Sequence, residues 1–212
     1  MINLSVNISE KEINYPIYIN NSDLNKLKKS ILDEINHKNY IVIYSKKVHK
    51  LYSKILDFPK DRTLVLPDGE HQKNHKNLSK ILDFALSKNL KREDAIIAVG
   101  GGVIGDISGF AASIYMRGIN FIQVPTTLLA ATDSSVGGKT AVNTKFGKNL
   151  IGSFYQPKAV FINVNFLKTL DEKQFKSGLG EVLKYGFIEK CCEPDNDAHL
   201  INFLTEHYQK IL

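Results

Sequence analysis

The sequence predicts an α/β fold, a mostly parallel β-sheet with helices on both faces, and three observations carry that prediction. Short apolar, β-branched runs recur over the first 163 residues, segments with apolar side chains at helical spacing lie between them, and no internal repeat or low-complexity tract breaks the alternation. Strands joined through helices of this length run parallel, because a parallel neighbour needs a crossover that a hairpin cannot provide. The predicted strands are 15–19, 40–44, 62–66, 95–99, 121–125 and 159–163, with helices at 22–36, 47–56, 77–89 and 103–116. The first helix places Leu24, Leu27, Ile31 and Ile35 on one face and has Ser22 as its N-cap. The stretch 124–157 is predicted as a long loop, too rich in small residues for a mere connection.

After residue 163 the pattern changes to successive helices, at 177–190 and at 198–212, the latter with Leu200, Ile201, Leu204, Tyr208 and Ile211 on one stripe. The expected organisation is an α/β domain over 1–163 and the start of a helical domain over 164–212. The last predicted helix reaches the final residue without a terminating Gly, Asn or Pro, so the chain is expected to be part of a longer protein.

Composition excludes several classes. At 43% hydrophobic and 24% charged residues, the 212-residue chain is neither disordered nor fibrous. Its apolar stretches fall short of the roughly 18 residues of a membrane span, and MINLSVNISEKE lacks a signal peptide's basic-then-apolar pattern. A soluble, cytoplasmic protein is expected. Cys191 and Cys192 are adjacent, which suits two reduced thiols and gives no C-x-x-C metal spacing. The net charge of +6 rests on 28 basic residues of which only Arg62, Arg92 and Arg117 are Arg, a poor match to base readout, so no nucleic-acid partner is expected. Between Ser134 and Leu170 there are five Lys and no Asp or Glu, which fits a local anion site.

Residues 95–106 read AIIAVGGGVIGD: an apolar strand, then Gly100, Gly102 and Gly105 spaced G-x-G-x-x-G, then a helix. In that context glycines let backbone N–H groups approach a pyrophosphate at a helix N-terminus, as in Rossmann-like sheets. The alternative is a tight turn that needs positive φ. No acidic residue stands about 20 positions later, around Gln123 to Thr127, so a ribose would be held by something else. The loop PDGEHQKN, residues 67–74, offers Glu70 to hydroxyls and Lys73 to phosphate or carbonyl oxygen, or is a solvated turn. His71 and His75 read as surface residues. The long loop gathers Thr126, Thr127, Asp133, Ser134, Ser135, Lys139, Lys148 and Asn149, groups suited to an anionic, hydroxylated small molecule. Its GGKT is no P-loop, because Asp133 stands where that motif requires Gly. In GLGEVLKYG, Glu181 and Lys184 share a helix face, either as a surface ion pair of about 0.3 kcal/mol or as part of a site that glycines let something approach.

Taken in order, GGGVIGDISGFAASIYMRG, VPTTLLAATDSSVGGKTAVN, GKNLIGSFYQP and GLGEVLKYG resemble the 3-dehydroquinate synthases, sugar-phosphate cyclases related in fold to glycerol dehydrogenases. The resemblance implies an NAD-binding α/β domain followed by a helical metal domain, in a homodimer. The implied reaction turns 3-deoxy-D-arabino-heptulosonate 7-phosphate, a phosphorylated sugar acid, into 3-dehydroquinate and phosphate: a carbon–oxygen lyase using NAD and zinc or cobalt. It assigns NAD contacts to Asp68, Gly69, Glu70 and Lys73, to Gly102, Val103, Gly105 and Asp106, and to Thr126 and Thr127. Phe166, Leu167, Lys168 and Thr169 complete that set, with Lys139 and Lys148 at the boundary of cofactor and substrate. Asp133, Asn149 and Lys184 match substrate-binding positions, Arg117 a residue that reaches the neighbouring subunit's substrate phosphate, and Glu181 the one carboxylate ligand of the metal. The family's histidine ligands, in motifs of the N-x-G-H-T-x-G-H kind, do not occur here, and His199 and His207 stand at the wrong place to replace them, so this chain alone is expected to be inactive. Ser45 stands where family members often carry an acidic or amide residue for the adenosine ribose, which implies weaker NAD binding. The rival readings are another cyclase or a polyol dehydrogenase of the same fold, and a non-catalytic nucleotide-binding module.

Overall fold

A computed structural model describes residues 14–192. The chain runs β1 (Ile17–Asn20), α1 (Leu27–Glu34), β2 (Tyr40–Ser45), α2 (Lys46–Leu56), β3 (Thr63–Leu66), α3 (His75–Ser87), β4 (Ala95–Gly100), α4 (Gly102–Ile114) and β5 (Asn120–Pro125). A hairpin follows, β6 (Lys139–Thr144) and β7 (Gly147–Phe154), then β8 (Ala159–Asn163) and α5 (Glu172–Cys192). Six strands form one sheet in the order β1-β8-β5-β4-β2-β3, parallel at every pairing.

The side-chain period of two divides the core. Ile41 and Ile43 of β2 and Ile96 and Ala98 of β4 point to the face covered by α3 and α4, through Leu78, Ile81, Ile107 and Ala111. Val42, Tyr44, Ile97 and Val99 point to the opposite face, covered by Leu27 and Ile31 of α1 and Tyr52 and Leu56 of α2. Both faces being covered, the central strands are continuous apolar runs, as all-parallel sheets require.

Three sequence-based expectations are corrected. The helix at 22–36 opens as a 3-10 turn over Leu24–Lys26, capped by Asp23, whose carboxylate accepts from the Asn25 N–H; Ser22 instead donates its hydroxyl to Asn20 Oδ1 at 2.9 Å. The segment 124–157 is no loop: it holds a π-helical turn, Ala130–Ser134, and the β6–β7 hairpin. The hairpin lies on the outer side of α4, so this helix is enclosed by strands on both sides. A Cβ on Gly109 would come within 2.5 Å of Thr140 on the hairpin and 2.8 Å of Phe121 on the main sheet. The helix placed at 177–190 begins at Glu172, with Asp171 accepting from the Gln174 N–H at 3.0 Å. The helix expected at 198–212, with His199 and His207, lies outside the described residues. Among the described residues no helix is long and apolar enough to cross a membrane.

Candidate active site

The connections from β2 to β3 and from β4 to β5 leave in opposite directions across the sheet, so the order reverses between β2 and β4, the place where open α/β sheets bind ligands at their carboxyl ends. A cleft of about 600 Å³ lies there, lined by Ser45, Pro67, Gly101 and Thr126, each at or just past the end of a strand. Its size falls in the range of small-molecule sites.

Three helices present their N-termini towards this edge, and the sequence treats one of them differently. Ser45 caps α2 by accepting from the Val48 N–H, and Asn74 caps α3 by accepting from the Asn77 N–H at 3.0 Å. The cap position of α4 is Gly101, with no side chain to accept from the first turn. The opening N–H groups of α4 are thus presented at the cleft with the positive end of the helix dipole behind them, an arrangement that suits an anion. Gly102 has ordinary negative φ, and its need is space: a Cβ there would stand 3.0 Å from the Ser134 hydroxyl. The same holds at Gly105, where a Cβ would meet Gln123 Oε1 at 2.7 Å. The turn does not use positive φ, and the close approach at these two glycines is that of the chain's own Ser134 and Gln123 side chains. Beside it the Thr126 hydroxyl is buried without a hydrogen-bond partner among the described residues, an orphan that a bound ligand would satisfy.

The loop after β3 supplies the opposite wall. Asp68 accepts from the Lys47 N–H at 3.1 Å, adding a carboxylate to the first turn of α2. Lys73 is only 3% exposed and its ammonium is held by Asp106 of α4 and by Asn149 Oδ1 at 2.6 Å. Burial pushes the Asp106 carboxyl above the usual carboxylate range, and the charge and hydrogen bond of Lys73 only partly offset it. At the mouth Lys47 pairs with Asp171 at 3.0 Å, which ties α2 to the start of α5. The Gln174 N–H bond, then Lys47, hold Asp171 below its ordinary value.

On α5, Ser177, Glu181 and Tyr185 succeed one another at intervals of four, so they lie on one face. Ser177 lines the cleft, and the Tyr185 hydroxyl donates to Asp133 Oδ1 at 3.1 Å. Partial desolvation, then the hydrogen bond to Asp133, raise the Tyr185 hydroxyl above its ordinary value. Glu181 stands between them and is paired with Lys184. Gly178 lets this helix rest on the π-helical turn, since a Cβ there would lie 2.6 Å from the Leu129 nitrogen. Such turns concentrate at functional sites.

Of the residues singled out from the sequence, the cleft brings together Asp68, Gly69, Glu70 and Lys73 with Gly102, Val103 and Asp106. Ser45, Thr126, Thr127, Asp133, Ser134, Lys148, Asn149, Phe166 and Thr169 complete its predicted lining. Gly105, Leu167, Lys168, Lys139, Glu181 and Lys184 are not among its lining residues. Arg117 is exposed just beyond the C-terminal end of α4, the end opposite the cleft. Among the described residues no group of three His, Cys, Asp or Glu converges as a metal site would require, and the Glu181 carboxylate is engaged by Lys184. Sequence reasoning missed Lys47, Gln174, Asn143 and Tyr185. Only Gln174 carried a signal, its place three residues after the cap Asp171.

The N-terminal family model of 3-dehydroquinate synthase matches residues 63–177. The 3-dehydroquinate synthase of Dictyoglomus thermophilum is 43% identical over 212 residues, which is 100% of this chain and 57% of that protein. That of Campylobacter concisus is 48% identical over 85% of this chain and 51% of its own length. The chain therefore spans about half the length of the curated relatives that it matches. Among solved structures, a 2-epi-5-epi-valiolone synthase of Streptomyces hygroscopicus with NAD+ and Zn2+ bound superposes with a TM-score of 0.81 at 26% identity, covering 97% of this chain and 56% of that one. A 2-deoxy-scyllo-inosose synthase complexed with carbaglucose-6-phosphate, NAD+ and Co2+ gives 0.68 at 31% identity over 79% of this chain and 47% of that one. Glycerol dehydrogenase of Schizosaccharomyces pombe, 18% identical with a TM-score of 0.62, shares the fold. With the family model matching more than half of its length, the chain belongs to the 3-dehydroquinate synthase family of enzymes.

Proposed function

We propose that this chain is the cofactor-binding part of a 3-dehydroquinate synthase, a cytoplasmic, homodimeric carbon–oxygen lyase. It converts 3-deoxy-D-arabino-heptulosonate 7-phosphate to 3-dehydroquinate and phosphate with NAD and a zinc or cobalt ion. The observation that carries the reading is the uncapped N-terminus of α4, facing a cleft at the reversal of strand order beside the orphaned Thr126 hydroxyl. Residues 1–163 form the NAD domain in this reading, and 164–212 begin the domain of the metal.

NAD, when bound, supplies reversible hydride transfer at a substrate hydroxyl. The chain's own residues do the rest. The backbone at Gly102 and Val103 receives the pyrophosphate, Thr126 and Thr127 offer hydroxyls, and Glu70 accepts from a ribose. Phe166 and Thr169 close the wall behind. Lys148 at the cleft and Lys139 at the start of β6 place positive charge for the substrate's phosphate and carboxylate, which orients the reacting centre more than it alters bonding. Asp133, steadied by Tyr185, accepts from a substrate hydroxyl, and Asn149 donates or accepts beside it. Arg117, far from its own cleft, serves a partner's. Glu181 is one ligand of the metal, with Lys184 as its neighbour; the described residues do not complete that site.

Calorimetric titration of the 212-residue chain with NAD+ tests the reading. The parent binds, and Gly102→Val, still folded by circular dichroism, loses at least about tenfold in affinity because its side chain fills the approach. Equal affinities in the two chains, or no binding by the parent, overturn it.

A further inference from the structure

The β6–β7 ladder is irregular at one place: between the pairs Val142–Ile151 and Thr144–Gly147, Asn143 of β6 stands opposite Lys148, Asn149 and Leu150 of β7, so the extra residues are on β7. Bulges re-aim side chains, and the Asn143 amide lies between Asn149 of the bulged stretch and the loop after β3. Three hydrogen bonds of Asn143 go to residues that line the proposed cofactor cleft. Its backbone N–H donates to the Lys73 carbonyl at 2.7 Å. Its side-chain Nδ2 donates to Glu70 Oε1 at 2.7 Å, and its Oδ1 accepts from the Asn149 N–H at 3.0 Å. The orientation of the amide is forced, because a carboxylate only accepts and a backbone N–H only donates.

Asn149 needs such an anchor. Its φ is +58°, a left-handed conformation that Asn tolerates better than most residues but that costs energy unless the surroundings fix it. Held there, its side-chain oxygen takes one of the donors of the buried Lys73, whose other partner is Asp106 at the foot of the glycine turn. A single chain of contacts therefore runs Glu70, Asn143, Asn149, Lys73, Asp106, from one wall of the cleft to the other. Asn143 itself lies outside the cleft, on a shallow hollow behind it with His71 and His75.

We infer that Asn143 is a positioning residue for the cofactor: through one amide it fixes the Glu70 carboxylate and the Asn149 backbone, and so the spacing of the two walls. The inference rests on the reading of the cleft as an NAD site and goes beyond it by naming a residue that does not itself line the cleft.

The discriminating substitution is Asn143→Asp. The new carboxylate still accepts from the Asn149 N–H but faces Glu70 with like charge. NAD+ affinity of the 212-residue chain, measured by calorimetry, is expected to fall about tenfold, the order set by one hydrogen bond to a charged group. Hydrogen exchange at the Asn149 amide should stay as slow as in the parent, a split that general loosening would not produce. Asn143→Ala, where it folds, should lose both affinity and amide protection. Parent-like NAD+ affinity in Asn143→Asp overturns the inference while leaving the cofactor reading intact. A parent chain that binds no NAD+ overturns both.

Discussion

Lys73 and Asp106 show how much of a site can depend on one buried pair. The two come from segments 33 residues apart and meet where water is largely excluded. The pair fixes the foot of α4 against the loop after β3, but burial leaves Asp106 with a raised pKa. The native state then binds a proton more readily than the unfolded chain, so stability falls as pH rises from the ordinary carboxylate range through the folded-state value. Thermal midpoints of the parent and of Asp106→Asn, followed across that interval, should show the parent's advantage shrinking with rising pH; an advantage that grows would mean that Lys73 dominates instead. Lys73 was legible as a candidate for phosphate or carbonyl oxygen in the loop 67–74, and Asp106 only through the family resemblance. Their mutual pairing was not, because neither local spacing nor periodicity reports a contact made across two crossovers.

At the scale of elements, α5 carries a test within a single turn of helix. Gly178 and Gly180 are both helical and two residues apart, yet a Cβ at Gly178 meets Leu128 and the Leu129 backbone at 2.6 Å, while one at Gly180 meets nothing within 4 Å. Gly180→Ala should stabilise by about 0.5–1 kcal/mol through helix propensity. Gly178→Ala should destabilise by about 1–2 kcal/mol, because overpacking against the π-helical turn outweighs the same gain. Urea unfolding of the two variants checks the signs, and like signs would show that α5 is not seated on the turn as described. The strands β2, β4, β5 and β8 were readable because burial on both faces makes them continuous apolar runs. The β6–β7 hairpin was not: KTAVNT and GKNLIGSF carry Lys, Asn and Gly, and β7 leaves most of its residues exposed, so no alternation survives. The start of α5 was missed by five residues because its first turn is charged and exposed, although Asp171 followed by Glu172 is a sound N-terminal signal.

In the whole molecule the parallel sheet separates two apolar cores that share its strands. Ile81 belongs to one and Ile31 to the other, both fully buried. Truncating either to Ala should cost about 2–5 kcal/mol, and because β2 and β4 contribute to both cores, each variant should shift one common unfolding transition, monitored by far-ultraviolet dichroism and tyrosine fluorescence together. Transitions that separate between the probes would show the two faces unfolding independently. The outer edge of this sheet has a further consequence for the chain as it is made. Among the described residues β1 pairs only with β8, with Ile17 opposite Val160 and Asn20 bonded to Asn163 across 143 positions. At translation speeds of roughly 5–20 residues per second, the segment that becomes β1 waits on the order of ten seconds or more for its partner to be synthesised. Ile17 and Ile19, exposed even beside β8, lack that partner throughout the interval, which makes this nascent segment a natural place for a ribosome-associated chaperone to hold the chain.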